Sequence, residues 1–222
     1  MNFTEKQGKI ICAAVLVIIW AILLVLLALV GEGVAPGLDA GHPSEYLVMS
    51  FFVCSVLIST VPILWFLNIA RMPSWFALLI FANVYYYCLS LFFGFYLTID
   101  WWGTVAHVIS SMFVSSIVFL ALCIIQTHSP SHVTLGSNNG IVMLQILIGI
   151  SFGGLWEVME GYVDIILAQQ YMSYGVWDML VDIRADIIGA LIMGAVFWWM
   201  LRTHTVKDIA DSTHLGFLSK KN

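Results

Sequence analysis

Six apolar runs, residues 10–30, 46–70, 75–97, 101–126, 141–168 and 178–201, take up most of this 222-residue chain. Each reaches the roughly 20 residues that an α-helix needs to cross the hydrocarbon core of a bilayer. The runs are continuous rather than alternating, which excludes a β-barrel, and a helix satisfies its own backbone groups where no water is present to do so. With 61% hydrophobic and 9% charged residues, a soluble domain of this length has no means of burying its apolar surface. Lipid is therefore the expected solvent. The expected fold is all-α, a polytopic membrane protein with a single transmembrane domain over residues 1–222, built as a six-transmembrane-helix bundle.

The first run begins with Lys6 and Lys9, as a signal peptide would, but its apolar core is too long and no small-x-small cleavage site follows, so it is expected to stay as a helix. Basic residues lie at the amino end (Lys6, Lys9), between the second and third runs (Arg71) and in the tail (Arg202, Lys207, Lys220, Lys221). The positive-inside rule puts these segments and both termini in the cytoplasm, with the loops after the first, third and fifth helices outside. A multi-pass protein of the cell (plasma) membrane is expected. The fourth connection, "THSPSHVTLGSNNG", has His128 and His132 four apart, yet Ser129 and Pro130 argue against a helix there, and a solvated loop is the reading preferred to a metal site. The connection "GEGVAPGLDAGHPSE" reads as an external linker. Pro62 should kink the second helix, and the aromatic face of "NVYYYCLSLFFGFY" reads as packing or an interfacial belt. Cys12, Cys54, Cys88 and Cys123 fall one in each of the first four runs without a C-x-x-C, as small apolar core residues do.

Ionisable residues inside such runs carry the chemistry. The fourth helix opens "DWWGTVAHVISS", which lines up Asp100, Thr104, His107 and Ser111 in steps of 4, 3 and 4 residues on one face. His107 then lies about 10 Å below Asp100 at the helical rise. The fifth helix ends "GISFGGLWEVMEGYVD", where Glu157, Glu160 and Asp164 share a face, and the sixth carries Asp178, Asp182 and Asp186 at successive turns. If the fifth and sixth helices fold back about a midpoint near Tyr171, Asp164 matches Asp178, Glu160 matches Asp182 and Glu157 matches Asp186. Gly149 then matches Gly194, and Gly153 matches Ala190, as a small-residue seam below the acidic one.

One carboxylate near the middle of a bilayer costs about 2.5–3.5 kcal/mol even on the lenient insertion scale. Seven converging acids, offset by Arg184 and His107, cannot all stay ionised without protonation, hydration or a bound cation. The expected metal ligands are Asp100, His107, Glu157, Glu160, Asp178, Asp182 and Asp186. The expected cofactor is a divalent metal ion. Oxygen donors suit Mg²⁺, Mn²⁺ or Ca²⁺, a single imidazole keeps Mn²⁺, Fe²⁺ and Zn²⁺ open, and two ions would use this many carboxylates better than one. Plainer roles compete at some positions. Asp100 and Asp178 suit helix starts, Asp164 suits the outer interface, and His107 alone would pass for a hydrogen-bonded core residue. Arg184 lies off the acidic stripe, where it pairs with a carboxylate, snorkels outward or holds a substrate phosphate.

The segments "DWWGTVAHVISS", "WEVMEGYVD" and "YGVWDMLVDIRADIIGA" together resemble those of the YjdF-like (DUF2238) family of small membrane proteins, with a more distant likeness to VanZ-like proteins. The likeness covers about the last 100 residues and departs in the aromatic third helix and at Arg184 and Asp186. It implies that Asp100, His107, Glu157, Glu160, Asp178 and Asp182 belong to the family's polar set. The family has no settled biochemical role, so the resemblance implies a site and not a reaction.

Three functions fit. The first is a metal-dependent membrane hydrolase or transferase acting on a lipid or lipid-linked substrate at the outer leaflet. In it Glu157 or Glu160 takes a proton from bound water, and Arg184 neutralises developing negative charge. No H-E-x-x-H, Glu-x-x-His pair or Ser-His-Asp set is present to name the reaction. The second is a non-catalytic subunit of a larger membrane complex. The third, a proton or cation translocator, meets the obstacle that the inner halves of the last two helices offer Gln145 as their one strong polar group. The expected partners are the lipid bilayer, a lipid-linked substrate and other membrane proteins, and not nucleic acid.

Overall fold

The computed structural model describes residues 5–70, 72–128, 135–167 and 175–213. Arg71, His132, Lys220, Lys221 and the hairpin midpoint at Tyr171 lie outside the described residues. Among the described residues every regular element is a helix. The chain divides into two compact units, Met1–Asp100 with Ser212–Asn222, and Trp101–Asp211.

In the first unit, α1 (Glu5–Gly31) packs on α3 (Ser44–Phe66), and α3 packs on α4 (Ser74–Phe93). The linker after α1 holds a short helix, α2 (Pro36–Ala40), with its proline at the start, where no amide hydrogen is needed. The second apolar run stops being helical at Phe66, because Asn68 takes a left-handed backbone, φ 54°, that asparagine tolerates better than most residues. The third run breaks at Gly94, φ 69°, a conformation that glycine adopts without steric cost, and the chain then makes the single turn α5 (Phe95–Thr98). The helix α3 continues through Pro62 to its end. The Tyr46 and Tyr87 hydroxyls meet at 3.0 Å. All four cysteines are free and buried.

The second unit is a core of three long helices, α6 (Trp102–His128), α7 (Asn138–Leu167) and α8 (Val176–Met200), with α9 (Val206–Asp211) laid against α6. Small side chains set the spacing, as they do wherever helices meet in lipid without a hydrophobic driving force. The buried face of α6 carries Ser111, Ser115 and Ser116, and that of α8 carries Ala185, Gly189, Ala190 and Gly194. A methyl group at Gly189 would stand 2.5 Å from the Val108 carbonyl oxygen, so α8 rests on the α6 backbone itself. Further along, Phe119 and Phe197 stack at 3.9 Å with their planes 7° apart.

Five helices are long and apolar enough to cross a membrane, with spans Lys9–Gly31, Ser44–Phe66, Trp75–Phe93, Trp102–His128 and Asn138–Ile166. The helix α8 is not among the five; it holds Asp178, Asp182, Arg184 and Asp186 within its first three turns. Large apolar side chains such as Leu24, Leu147, Ile165 and Leu191 point outward, as lipid-facing residues do.

Candidate metal centre

The imidazole of His107, on α6, sits among carboxylates from both other helices of its unit. Its Nδ1 lies 3.6 Å from Glu157 Oε1 on α7 and 3.6 Å from Asp186 Oδ1 on α8, and its Nε2 lies 3.7 Å from Asp182 Oδ2, also on α8. The three acids are buried, whereas the histidine side chain keeps 17% of its surface open. Helical periodicity explains the convergence from α8, since Asp182 and Asp186 are one turn apart on one face. Glycine explains how α7 comes close enough, because a side chain at Gly153 would collide with the Asp186 carboxylate.

These separations are too long for hydrogen bonds. Ligand atoms around an ion bound at the usual zinc distances stand about 3.4 Å apart. Glu157 and Asp186 face Nδ1 whereas Asp182 faces Nε2, so these gaps do not by themselves trace one coordination shell around a single ion. One ligand atom each from His107, Glu157 and Asp182 lies within 4.8 Å of the other two. Glu157 Oε1 is buried and has no hydrogen-bond partner among the described residues. A carboxylate oxygen in that state is normally satisfied by a donor or a cation. An imidazole and two carboxylates with further coordination positions open suit zinc, manganese or ferrous iron. With either ring nitrogen used for an ion, the other still faces a carboxylate that would fix its orientation.

The remaining sequence candidates separate into groups. Glu160 is buried beside the set, and the Trp156 indole N–H donates to its Oε1 at 2.6 Å. Asp186 adds its carboxylate, and its backbone carbonyl accepts the Ser111 hydroxyl at 2.8 Å. Asp178 and Asp164 are half-buried on α8 and α7 and outside the set of three. Arg184 is exposed on α8, with no ion pair to the cluster among the described residues. Asp100 is exposed and belongs to the first unit.

The contact register of α7 and α8 differs by one helical turn from the fold-back about Tyr171. A side chain at Gly149 would meet Ala190 Cβ at 3.4 Å, one at Gly153 would meet Asp186, and one at Gly194 would meet Ile146 Cδ1 at 2.5 Å. Glu157 therefore comes level with Asp182, not Asp186. The glycines on each helix seat the other's side chains, and this packing, not the loop's midpoint, sets the slide of one helix along the other. Two contributors escaped the sequence reading, the Trp156 donor and the Gly189 contact. The first has a legible signal in the i, i+4 spacing of Trp156 and Glu160. The second has none, since nothing in the sequence says which backbone a glycine will touch.

A family model described as a predicted membrane protein (DUF2238) matches residues 15–203, well beyond the carboxyl-terminal segments that carry the motifs. No curated protein and no solved structure matches the chain.

Proposed function

The chain belongs to the DUF2238 family of predicted membrane proteins, and from that premise we propose that it holds one divalent metal ion between His107, Glu157 and Asp182. The observation that carries this reading is the buried Glu157 Oε1, which has no hydrogen-bond partner among the described residues and faces the His107 imidazole, with one ligand atom each from His107, Glu157 and Asp182 within 4.8 Å of one another. Asp186 holds the imidazole, and Glu160, tied to Trp156, stands beside the set as the acid that takes a proton. The helix α8 is the sixth membrane span, its Asp182 and Asp186 tolerated because they face the core and the ion. The six spans form one domain in the cell membrane with both termini cytoplasmic.

Three protein ligands leave a coordination position open, which is the pattern of catalytic rather than structural sites. A bound divalent ion supplies an activated water or polarises a carbonyl or phosphoryl oxygen. The reaction class proposed is hydrolysis or group transfer on a lipid or lipid-linked substrate. Arg184, exposed on α8, is placed to contact a phosphate at the surface of the helix rather than to neutralise the cluster.

The test is metal analysis of the full chain in lipid nanodiscs after equilibration with zinc or manganese, beside a Glu157→Gln, Asp182→Asn double variant. About one ion per chain is expected in the wild type, with loss in the double variant, since removing two of three ligands abolishes a site of this kind. No stoichiometric ion in the wild type, or its retention in the double variant, would sink the reading. Bound ion without turnover of any phosphorylated lipid would favour the non-catalytic subunit.

A further inference from the structure

Ser115 on α6 and Gln145 on α7 lie deeper in the three-helix core, and the acid and histidine set does not use them. Both are completely buried, and Ser115 Oγ, Gln145 Oε1 and Gln145 Nε2 have no hydrogen-bond partner among the described residues. A serine in a lipid-embedded helix ordinarily donates to the carbonyl four residues back. Ser55, Ser59, Ser116 and Ser151 do so, at 2.7–2.8 Å. Ser115, next to Ser116, does not. A buried polar group left without a partner costs about 1–3 kcal/mol, and a glutamine amide brings two donors and two acceptor sites to satisfy.

The two side chains share a polar line with the site above them. His107, Ser111 and Ser115 follow one another at single turns of α6, as Glu157, Gly153, Gly149 and Gln145 do along α7. Both unpartnered groups face glycines. A methyl at Gly149 would stand 2.5 Å from Ser115 Oγ, and one at Gly194 would stand 3.6 Å from Gln145 Oε1. The same two glycines also seat the Ala190 methyl and the Ile146 side chain. Phe119, the next residue on the α6 stripe, stacks on Phe197.

We propose that Ser115 and Gln145 bind ordered water, making a second polar site in the middle of this core. A buried water typically makes about three hydrogen bonds, and the hydroxyl, the amide oxygen and the amide nitrogen found without partners can each make one. The site takes a small neutral hydrogen-bonding ligand because, among the described residues, the neighbours found at Gly149 and Gly194 are uncharged. It lies two turns below His107 on α6 and three below Glu157 on α7, and extends the polar interior past the last carboxylate.

The full chain in nanodiscs, exposed to a microsecond pulse of X-rays, generates hydroxyl radicals from bound water, and the oxidation of nearby methionines is read by mass spectrometry. Met193, buried at 4% exposure and adjoining Gly194 on α8, is taken as the reporter, and Met200 at the end of α8 serves as reference. Oxidation of Met193 is expected in the wild type, falling about threefold or more in Gln145→Leu with Met200 unchanged, since sulfoxide formation follows access to the oxidant. Should Gln145→Leu not fold, Ser115→Ala removes a single hydroxyl and must lower the Met193 signal in the same way. An unlabelled Met193 in the wild type, or equal labelling in a folded variant, overturns the proposal. The readout involves no metal ion and stands whatever the ion-binding measurement gives.

Discussion

Gly189→Ala tests the contact that brings α8 up to α6. The added methyl would stand 2.5 Å from the Val108 carbonyl oxygen, 2.9 Å from Ser111 Cβ and 3.2 Å from the Met112 nitrogen. Two of these three atoms are backbone of an intact helix and cannot swing aside. Moving the first contact from 2.5 Å to an ordinary 3.4 Å shifts the two helices apart by about 0.9 Å. The Ser111 hydroxyl, 2.8 Å from the Asp186 carbonyl, is then carried to a separation of about 3.7 Å, beyond hydrogen-bonding range. Val108 adjoins His107, so the same shift widens the 3.6–3.7 Å gaps from the imidazole to Asp186 and Asp182. Overpacking of this kind costs about 1–3 kcal/mol, with about 1 kcal/mol more for the lost hydrogen bond. The assay is thermal unfolding of the full chain in nanodiscs together with zinc titration. The control is Gly154→Ala, where the methyl meets nothing within 4 Å and helix propensity favours alanine. A clear fall in melting temperature and in zinc affinity is expected for Gly189→Ala alone. If the two alanine variants melt and bind alike, the close approach of α6 and α8 does not position the site.

Trp156→Phe removes the indole N–H that donates to Glu160 at 2.6 Å, and a loss of about 1 kcal/mol is expected in unfolding measurements. Trp177→Phe, at a site 79% exposed, should melt like the wild type. Arg184→Gln should leave ion stoichiometry unchanged by metal analysis, because the side chain is exposed and away from the acids; loss of the ion would refute its placement outside the set. The start of α9 supplies a pH test. The Thr205 hydroxyl and then the Thr205 backbone N–H donate to the Asp208 carboxylate, which holds it below the usual carboxylate range. With the Asp208 N–H returning a bond to Thr205 Oγ1, the pair forms a capping box. A carboxylate depressed in the folded state contributes stability at pH above its unfolded value of about 3.9, lost as pH falls through the folded one. Amide exchange in residues 206–211 should therefore be slower in wild type than in Asp208→Asn at pH 5, with the difference closing at lower pH.

The residue order alone determines that this chain is helical and lives in lipid, because uninterrupted apolar runs of membrane length leave no other way to satisfy the backbone. Helical periodicity also places Asp182 with Asp186, and Glu157 with Glu160, on common faces, since side chains three and four apart must share a side. Neither fact says how far one helix slides along another. That was decided by packing at Gly149, Gly153, Gly189 and Gly194, where missing side chains let neighbours seat closely, and it moved the α7–α8 register a full turn from the fold-back about Tyr171. The slide sets which acids meet. It puts Glu157, Asp182 and Asp186 around His107, whereas Arg184, off their stripe by helical periodicity, stays on the outside of α8. It also left Ser115 and Gln145, a turn-spaced serine and a single polar residue in an apolar run, buried without hydrogen-bond partners among the described residues. Periodicity is a property of one helix and can be read along one chain. Contact is a property of two helices, fixed by the shapes they press together.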